Sequence, residues 1–170
     1  MNINGPYATA ALLCEHVLDE KDGRISCIRV LDRIEINATL ARPLRPGEAT
    51  PTLPTPTLQL TGLLILKSGD FVGKKVLRIN IYKPSGELMK PEGPSIEALP
   101  LFFEGGEQGV QIILNISLKI ENEGLYLIDA LLDDENIVAR IPLRVTITHT
   151  QADDSQPAKP MSPDDKRVEL

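Results

Sequence analysis

Acidic side chains crowd one predicted hairpin and are the first residues whose chemistry points to a ligand. Carboxylates on converging loops bind calcium, which takes about six to eight oxygen ligands. The residues are Asp129, Asp133, Asp134 and Glu135 around the turn, with Glu121 and Glu123 at its other end. Their spacing matches no metal loop, and a polar hairpin tip explains them as well. We therefore predict no metal ligands, and keep a calcium-type or small-ligand site on these loops as the alternative function.

A second set of residues, around His16, contains the groups needed for nucleophilic chemistry. Cys14 lies two residues before His16, with Glu15 between them. Residues two apart on a strand share a face, but their side chains then lie side by side, which is not the geometry of a nucleophile and its base. We interpret His16 as a partly buried, hydrogen-bonded histidine and predict no catalytic residue.

Other cofactor and ligand classes lack their motifs. Gly105, Gly106 and Gly109 have neither the following helix pattern nor the lysine of a phosphate loop. The chain has no Trp and three scattered Tyr, which form no stacking platform for a sugar. Two Cys and two His make no convincing zinc site, since His149 falls in the predicted tail. We predict a non-enzymatic protein without a cofactor.

The composition of the chain limits the classes of partner and the cellular compartment that we expect. The net charge of −6 argues against a nucleic-acid partner, which needs a basic surface to replace phosphate counterions. No segment approaches the roughly 20 apolar residues of a membrane span. The apolar run before Cys14 is short, lacks a positive region and has bulky Leu13 where cleavage needs a small residue. We expect a cytoplasmic protein in which Cys14 and Cys27 stay reduced.

The elements that position these residues are strands. Apolar and polar residues alternate over 111–120 and 137–147, and turn residues separate these stretches from the one between them. We predict three consecutive antiparallel strands here. Further strands are predicted at 58–70 and 76–87, with a hairpin of 8–18 and 24–36 about Asp22-Gly23. A two-residue turn there places residue 14 opposite 31, and residue 27 opposite 18.

Three segments lack this alternation. Five prolines in 41–57 predict an extended loop, which we interpret as a disordered insertion, with a binding loop as the alternative. In residues 90–109 we expect Ile96, Leu99, Leu101, Phe102 and Phe103 to be buried and to close one end of the core, with an exposed apolar recognition patch as the alternative. Residues 149–170 are almost free of apolar side chains and are predicted to be a disordered tail, which leaves 1–148 as one domain.

The stretch 124–132 is apolar on both alternating sides, apart from Asp129. Such a strand lies in the centre of a sheet and needs cover on its outer face, for which we favour the segment 41–57 or 90–109 over a dimer. Tyr126 follows a turn glycine and enters this strand, as does the tyrosine that anchors a corner of immunoglobulin-like sandwiches through its hydroxyl.

A resemblance rests on these same residues. The stretches 11–18 (ALLCEHVL), 22–34 (DGRISCIRVLDRI), 103–112 (FEGGEQGVQI) and 124–145 (GLYLIDALLDDENIVARIPLRV) together resemble a family of small uncharacterised prokaryotic proteins. It covers most of 8–147, implies a single-domain prokaryotic β protein, and carries no activity or site residues. The turn at Lys83 to Glu87 and the end of the domain also look like the closing hairpin of immunoglobulin-like modules.

Together these observations predict an all-β, antiparallel, immunoglobulin-like sandwich of about seven to nine strands. The predicted function is a non-enzymatic interaction module with a protein partner, as a monomer or weak homodimer. We expect it to bind through a sheet edge, through its loops or through the proline-rich segment 41–57.

Overall fold

The structure, a computed structural model, describes residues 5–40, 55–89 and 98–151, and the side chains of 5–37, 55–89 and 98–148. Its strands form two sheets. The four-stranded sheet contains β1 (Tyr7–Asp19), β2 (Ile25–Leu31), β4 (Thr57–Lys67) and β7 (Gly109–Lys119), in the order β2-β1-β4-β7. The five-stranded sheet contains β3 (Arg33–Leu40), β5 (Val72–Tyr82), β6 (Leu99–Glu104), β8 (Gly124–Leu132) and β9 (Asn136–Gln151), in the order β3-β9-β8-β5-β6.

The core lies between the two sheets and is almost entirely aliphatic. Alternate residues of each strand point inward, as their period-two pattern requires. From the four-stranded sheet come Leu13, Leu60, Leu64, Leu66, Ile112, Leu114, Ile116 and Leu118. From the five-stranded sheet come Leu77, Leu101, Phe103, Tyr126, Ile128, Ala130, Leu132, Leu143 and Val145. The predicted all-β sandwich is confirmed, and nine strands are at the upper end of the expected number.

The prediction of three consecutive paired strands over 111–147 is wrong in one respect. β7 pairs with β4, whereas β8 and β9 pair with each other in the opposite sheet. The chain therefore crosses between the sheets after Lys119 instead of turning back on itself. Alternation marks which residues of a strand face the core, but it does not say which strand lies beside it.

The predicted strand 24–36 is divided at Asp32. Residues before it form β2 in the four-stranded sheet, and residues after it form β3, which pairs in parallel with β9. Exposed Asp32 breaks the apolar alternation, and its carbonyl accepts a hydrogen bond from the Arg144 amide at 3.0 Å. The segment 24–36 therefore contributes a strand to each sheet. The β3–β9 pair is parallel, while the other strand pairs of the sandwich are antiparallel, as predicted.

The β1–β2 hairpin differs from its predicted register by one residue. Cys14 lies opposite Val30, and Cys27 lies opposite Val17. The loop is longer than two residues: the Glu20 amide donates to the Arg24 carbonyl, and Gly23 has a φ of 77°. A turn followed by one left-handed glycine is the usual three-residue hairpin loop.

Residues 99–104 form the edge strand β6 rather than a plug at the end of the core. Leu101 and Phe103 face inward and are buried as predicted, but Phe102 is 70% exposed on the outer side. The rest of the predicted cover, 41–54 and 90–97, lies outside the described residues. β9 continues past the predicted domain boundary to Gln151, and the remainder of the predicted tail also lies outside them.

Tyr126 forms the predicted corner. Its side chain is 1% exposed, and its hydroxyl donates to the Asn122 carbonyl at 2.8 Å. The Asn122 amide in turn donates to the same hydroxyl at 3.4 Å. The hydroxyl therefore joins the turn before β8 to the core, as in immunoglobulin-like sandwiches.

Replacing Tyr126 with phenylalanine is expected to lower the free energy of unfolding by about 1 to 2 kcal/mol. The ring keeps its place in the core, but the Asn122 carbonyl loses its partner in a partly buried site. Urea denaturation measures the change. Tyr82→Phe is the control, because Tyr82 is only half-buried in a regular strand. Equal losses in both variants would contradict a special role for the corner.

Candidate interaction face

The outer face of the four-stranded sheet carries a continuous set of aliphatic side chains. The strand register places Leu12 opposite Leu63, and Leu63 opposite Ile113, in a row across three strands. Residues directly opposite each other in a ladder project from the same face. This aliphatic face consists of Leu12, Leu18, Ile28, Val30, Leu63, Ile65 and Ile113.

Exposure varies strongly across the aliphatic face. Val30 is 61% exposed and Ile113 43%, whereas Leu63 is 4% exposed although it does not belong to the core between the sheets. Leu12 and Ile65 beside it are half-buried. Apolar residues that lie together on the solvent side of a sheet mark a site of interaction more often than isolated ones do.

Polar side chains border the aliphatic face toward one end of the sheet. Gln59 donates to the Ser117 hydroxyl at 3.1 Å, and both residues are exposed. Thr61 donates to the Glu15 carbonyl at 3.3 Å. An apolar centre with a polar rim is the usual composition of a protein interface.

The hairpin extends this face beyond the sandwich. The ladder between β1 and β4 ends at Cys14 and Thr61, so the remainder of β1 pairs only with β2. Leu18, Ile28 and Val30 lie on one side of the ribbon and are 39–61% exposed. His16 lies on the same side and is exposed, which corrects the expected partly buried histidine.

The thiol near His16 is poorly suited to nucleophilic attack. Cys14 is fully buried, and its thiol donates a hydrogen bond to the Thr61 carbonyl at 3.4 Å. Burial raises the pKa of this thiol, and the Cys27 thiol raises the pKa further. A raised pKa leaves little thiolate at neutral pH. Cys14 and Cys27 are both free thiols.

The acidic residues of the β8–β9 hairpin are held by neighbouring cations. The Asp133 carboxylate accepts hydrogen bonds from the Lys75 ammonium at 2.6 Å and from the Val76 amide at 3.0 Å. These bonds lower the pKa of the Asp133 carboxyl group. Asp134 pairs with Arg78 at 2.8 Å. These carboxylates stabilise the hairpin against β5.

The remaining acidic candidates point in different directions. Glu121 pairs with Lys83 at 2.7 Å, which lowers the pKa of Glu121. Glu123 and Glu135 are exposed at opposite ends of the strand pair. The described residues contain no group of three potential metal ligands, so the calcium alternative gains no support from them.

Asp129 lies on the outer face of the five-stranded sheet and is 1% exposed. Arg140, directly opposite on β9, donates to both carboxylate oxygens at 2.7 Å. This bond pair raises the pKa of Arg140. Leu131 on the same side is 8% exposed, whereas Leu125 further along this outer row is 40% exposed, so β8 is buried on its outer side only toward its end.

A cavity of about 310 Å³ lies at one end of the sandwich. The Lys75 ammonium stands 4.9 Å from the centre of the Phe71 ring and also binds Asp133. Lys75 and Asp133 are thus paired with each other. The cavity is lined by Gly5, Pro6, Phe71, Lys75, Leu132, Asp133, Glu135 and Asn136.

The comparisons with known proteins assign no ligand. No family model matches the sequence, and no curated protein matches it. A matching solved structure is the CARDB domain of a Pyrococcus furiosus protein, in complex with di-metal ions. The two chains are 15% identical with a TM-score of 0.40, over 86% of this chain and 93% of that one. The sandwich assignment therefore depends on the strand order and the Tyr126 corner.

Proposed function

We propose that the protein is a non-enzymatic module that binds another protein through the aliphatic face. The observation that carries this proposal is the register that aligns Leu12, Leu63 and Ile113 across β1, β4 and β7. None of the seven residues of the face is charged, so a partner can cover them without desolvating an ion.

The hairpin residues are the expected anchors of this contact. Val30 and Leu18 leave about half or more of their surface in water. Each apolar side chain that a partner covers contributes roughly 25 cal/mol per Å² of buried area. The exposed surface of the face therefore favours association, and no catalytic residue is needed for such a function.

Val30→Lys is expected to weaken partner binding by tenfold or more, because it introduces a charge into an apolar contact. The variant should fold normally, since Val30 is 61% exposed. The measurement is quantitative capture from an extract of the native host, followed by hydrogen exchange on the captured complex. Protection should appear in β1 and β2.

Val72→Lys is the matched control. Val72 is 69% exposed, but it lies on the five-stranded sheet, so this variant should bind as the wild type does. Loss of binding in both variants, or protection confined to the five-stranded sheet, would refute the aliphatic face as the binding site.

A further inference from the structure

Among the described strands, β7 is an edge of the four-stranded sheet. It pairs with β4 over its whole length, from Gly109 to Lys119, and the described strands place nothing on its other side. An edge strand presents unpaired N–H and C=O groups to any strand that can align with them. Four exposed side chains on the outer face of β7 carry no charge: Gln111, Ile113, Asn115 and Ser117.

The other edges in the described part of the chain are less open to pairing. β2 contains Arg29 with a φ of 52°, which interrupts its regular backbone. β6 has six residues and contains Pro100, which has no N–H to donate. β3 carries the exposed charges of Arg33 and Glu35. β7 is longer than each of them and has no proline or left-handed residue.

The sequence of β7 is complementary to itself in one antiparallel register. A two-fold axis at Ile113 places Ile113 opposite its copy and Gln111 opposite Asn115 of the second chain. Core-facing residues then meet core-facing residues, with Ile112 opposite Leu114. The axis at Leu114 instead places Ile113 opposite Asn115, which separates the exposed isoleucines. Matched apolar and amide pairs favour the first register.

We propose that two copies of this chain associate by antiparallel pairing of their β7 strands around a two-fold axis at Ile113. The two four-stranded sheets then form one continuous sheet. The row of Leu12, Leu63 and Ile113 continues directly into the same row of the second copy. Closed two-fold pairing also covers both open edges at once.

This inference depends on the edge of the sheet and not on the proposed function of its face. A monomeric protein could still lose partner binding on Val30→Lys, and a dimer could form without any further partner. The two proposals therefore fail separately.

Cysteine cross-linking tests the register in the full chain. The background variant is Cys27→Ser, which removes the more accessible of the two native thiols, and Cys14 is kept because it is buried. Ile113→Cys should yield a covalent dimer under mild oxidation, because residue 113 meets its own copy only in this register. Ser117→Cys is the matched control: it is also exposed on β7, but it lies opposite Gly109 of the second chain and should stay monomeric. Cross-linking of Ser117→Cys, or of neither variant, overturns the proposed register.

Sedimentation equilibrium of the uncross-linked protein tests the association itself. Ile113→Lys should raise the dimer dissociation constant by about tenfold or more, because it opposes two like charges at the axis. Val72→Lys, on the other sheet, should leave it unchanged. A wild-type protein that remains monomeric at its highest soluble concentration overturns the proposal, as does a dimer that Ile113→Lys leaves intact.

Discussion

Gly124→Ala is expected to lower the free energy of unfolding by about 3 kcal/mol. Gly124 has a φ of 135°, a conformation that costs an L-residue about 1 to 3 kcal/mol. A Cβ built at this position would lie 2.7 Å from Cβ of Pro84 and 2.9 Å from its Cγ. The backbone strain and the overlap with Pro84 both arise from the same added methyl group, so we expect both to contribute to the loss. Urea denaturation of the two proteins gives the difference.

Gly23→Ala is the control for backbone strain. Gly23 has a φ of 77°, but a Cβ there meets no atom within 4 Å, so the expected loss is only about 1 kcal/mol. In Pro84→Gly, the Gly124→Ala change should cost less than in the wild type. Equal losses for the two glycine variants would show that the turn at Pro84 moves away freely.

Leu64→Ala is expected to cost about 3 to 4 kcal/mol. Leu64 is 2% exposed and belongs to the core between the sheets, where the truncated side chain leaves a cavity that neighbours fill only in part. Measured urea midpoints and slopes give the loss, provided that the slope does not change.

Leu63→Ala provides a matched comparison at the adjacent position. Leu63 is 4% exposed, almost as buried as Leu64, but it lies on the aliphatic face and not in the core. Its neighbours Leu12 and Ile65 are half-buried and can close over the lost volume, so the expected loss is about 1 to 2 kcal/mol. A loss equal to that of Leu64→Ala would contradict the assignment of a surface cluster.

The alternation of β7, β8 and β9 was sufficient to predict the sandwich and the inward residues of these strands. The same alternation also indicates which aliphatic residues lie on the outer face of the four-stranded sheet. Leu12, Leu63 and Ile113 are each out of phase with the core residues beside them. What could not be predicted is that the three fall in one row, because that depends on pairing between distant strands.

The separation at Asp32 had a visible cause in the sequence, namely a charged residue in an otherwise apolar phase. No feature of the sequence indicates which strand β3 pairs with. A strand that leaves one sheet for the other can join either edge, and only the packing of the finished sheets selects β9. The positions of Lys75, Arg78 and Lys83 against the acidic turns follow from the same nonlocal pairing.

The parallel pairing of β3 with β9 also sets the order in which the chain can acquire its structure during synthesis. β3 leaves the ribosome early, but Arg33 to Leu40 pair with Arg144 to Gln151, which are made near the end of the domain. Until then β3 has no partner strand, and its core-facing side chains Ile34 and Ile36 stay open to other molecules, although β1 can already pair with β2 and β4. Nonlocal pairing of this kind is slow. The newly made chain is therefore most exposed to aggregation just before β9 is complete.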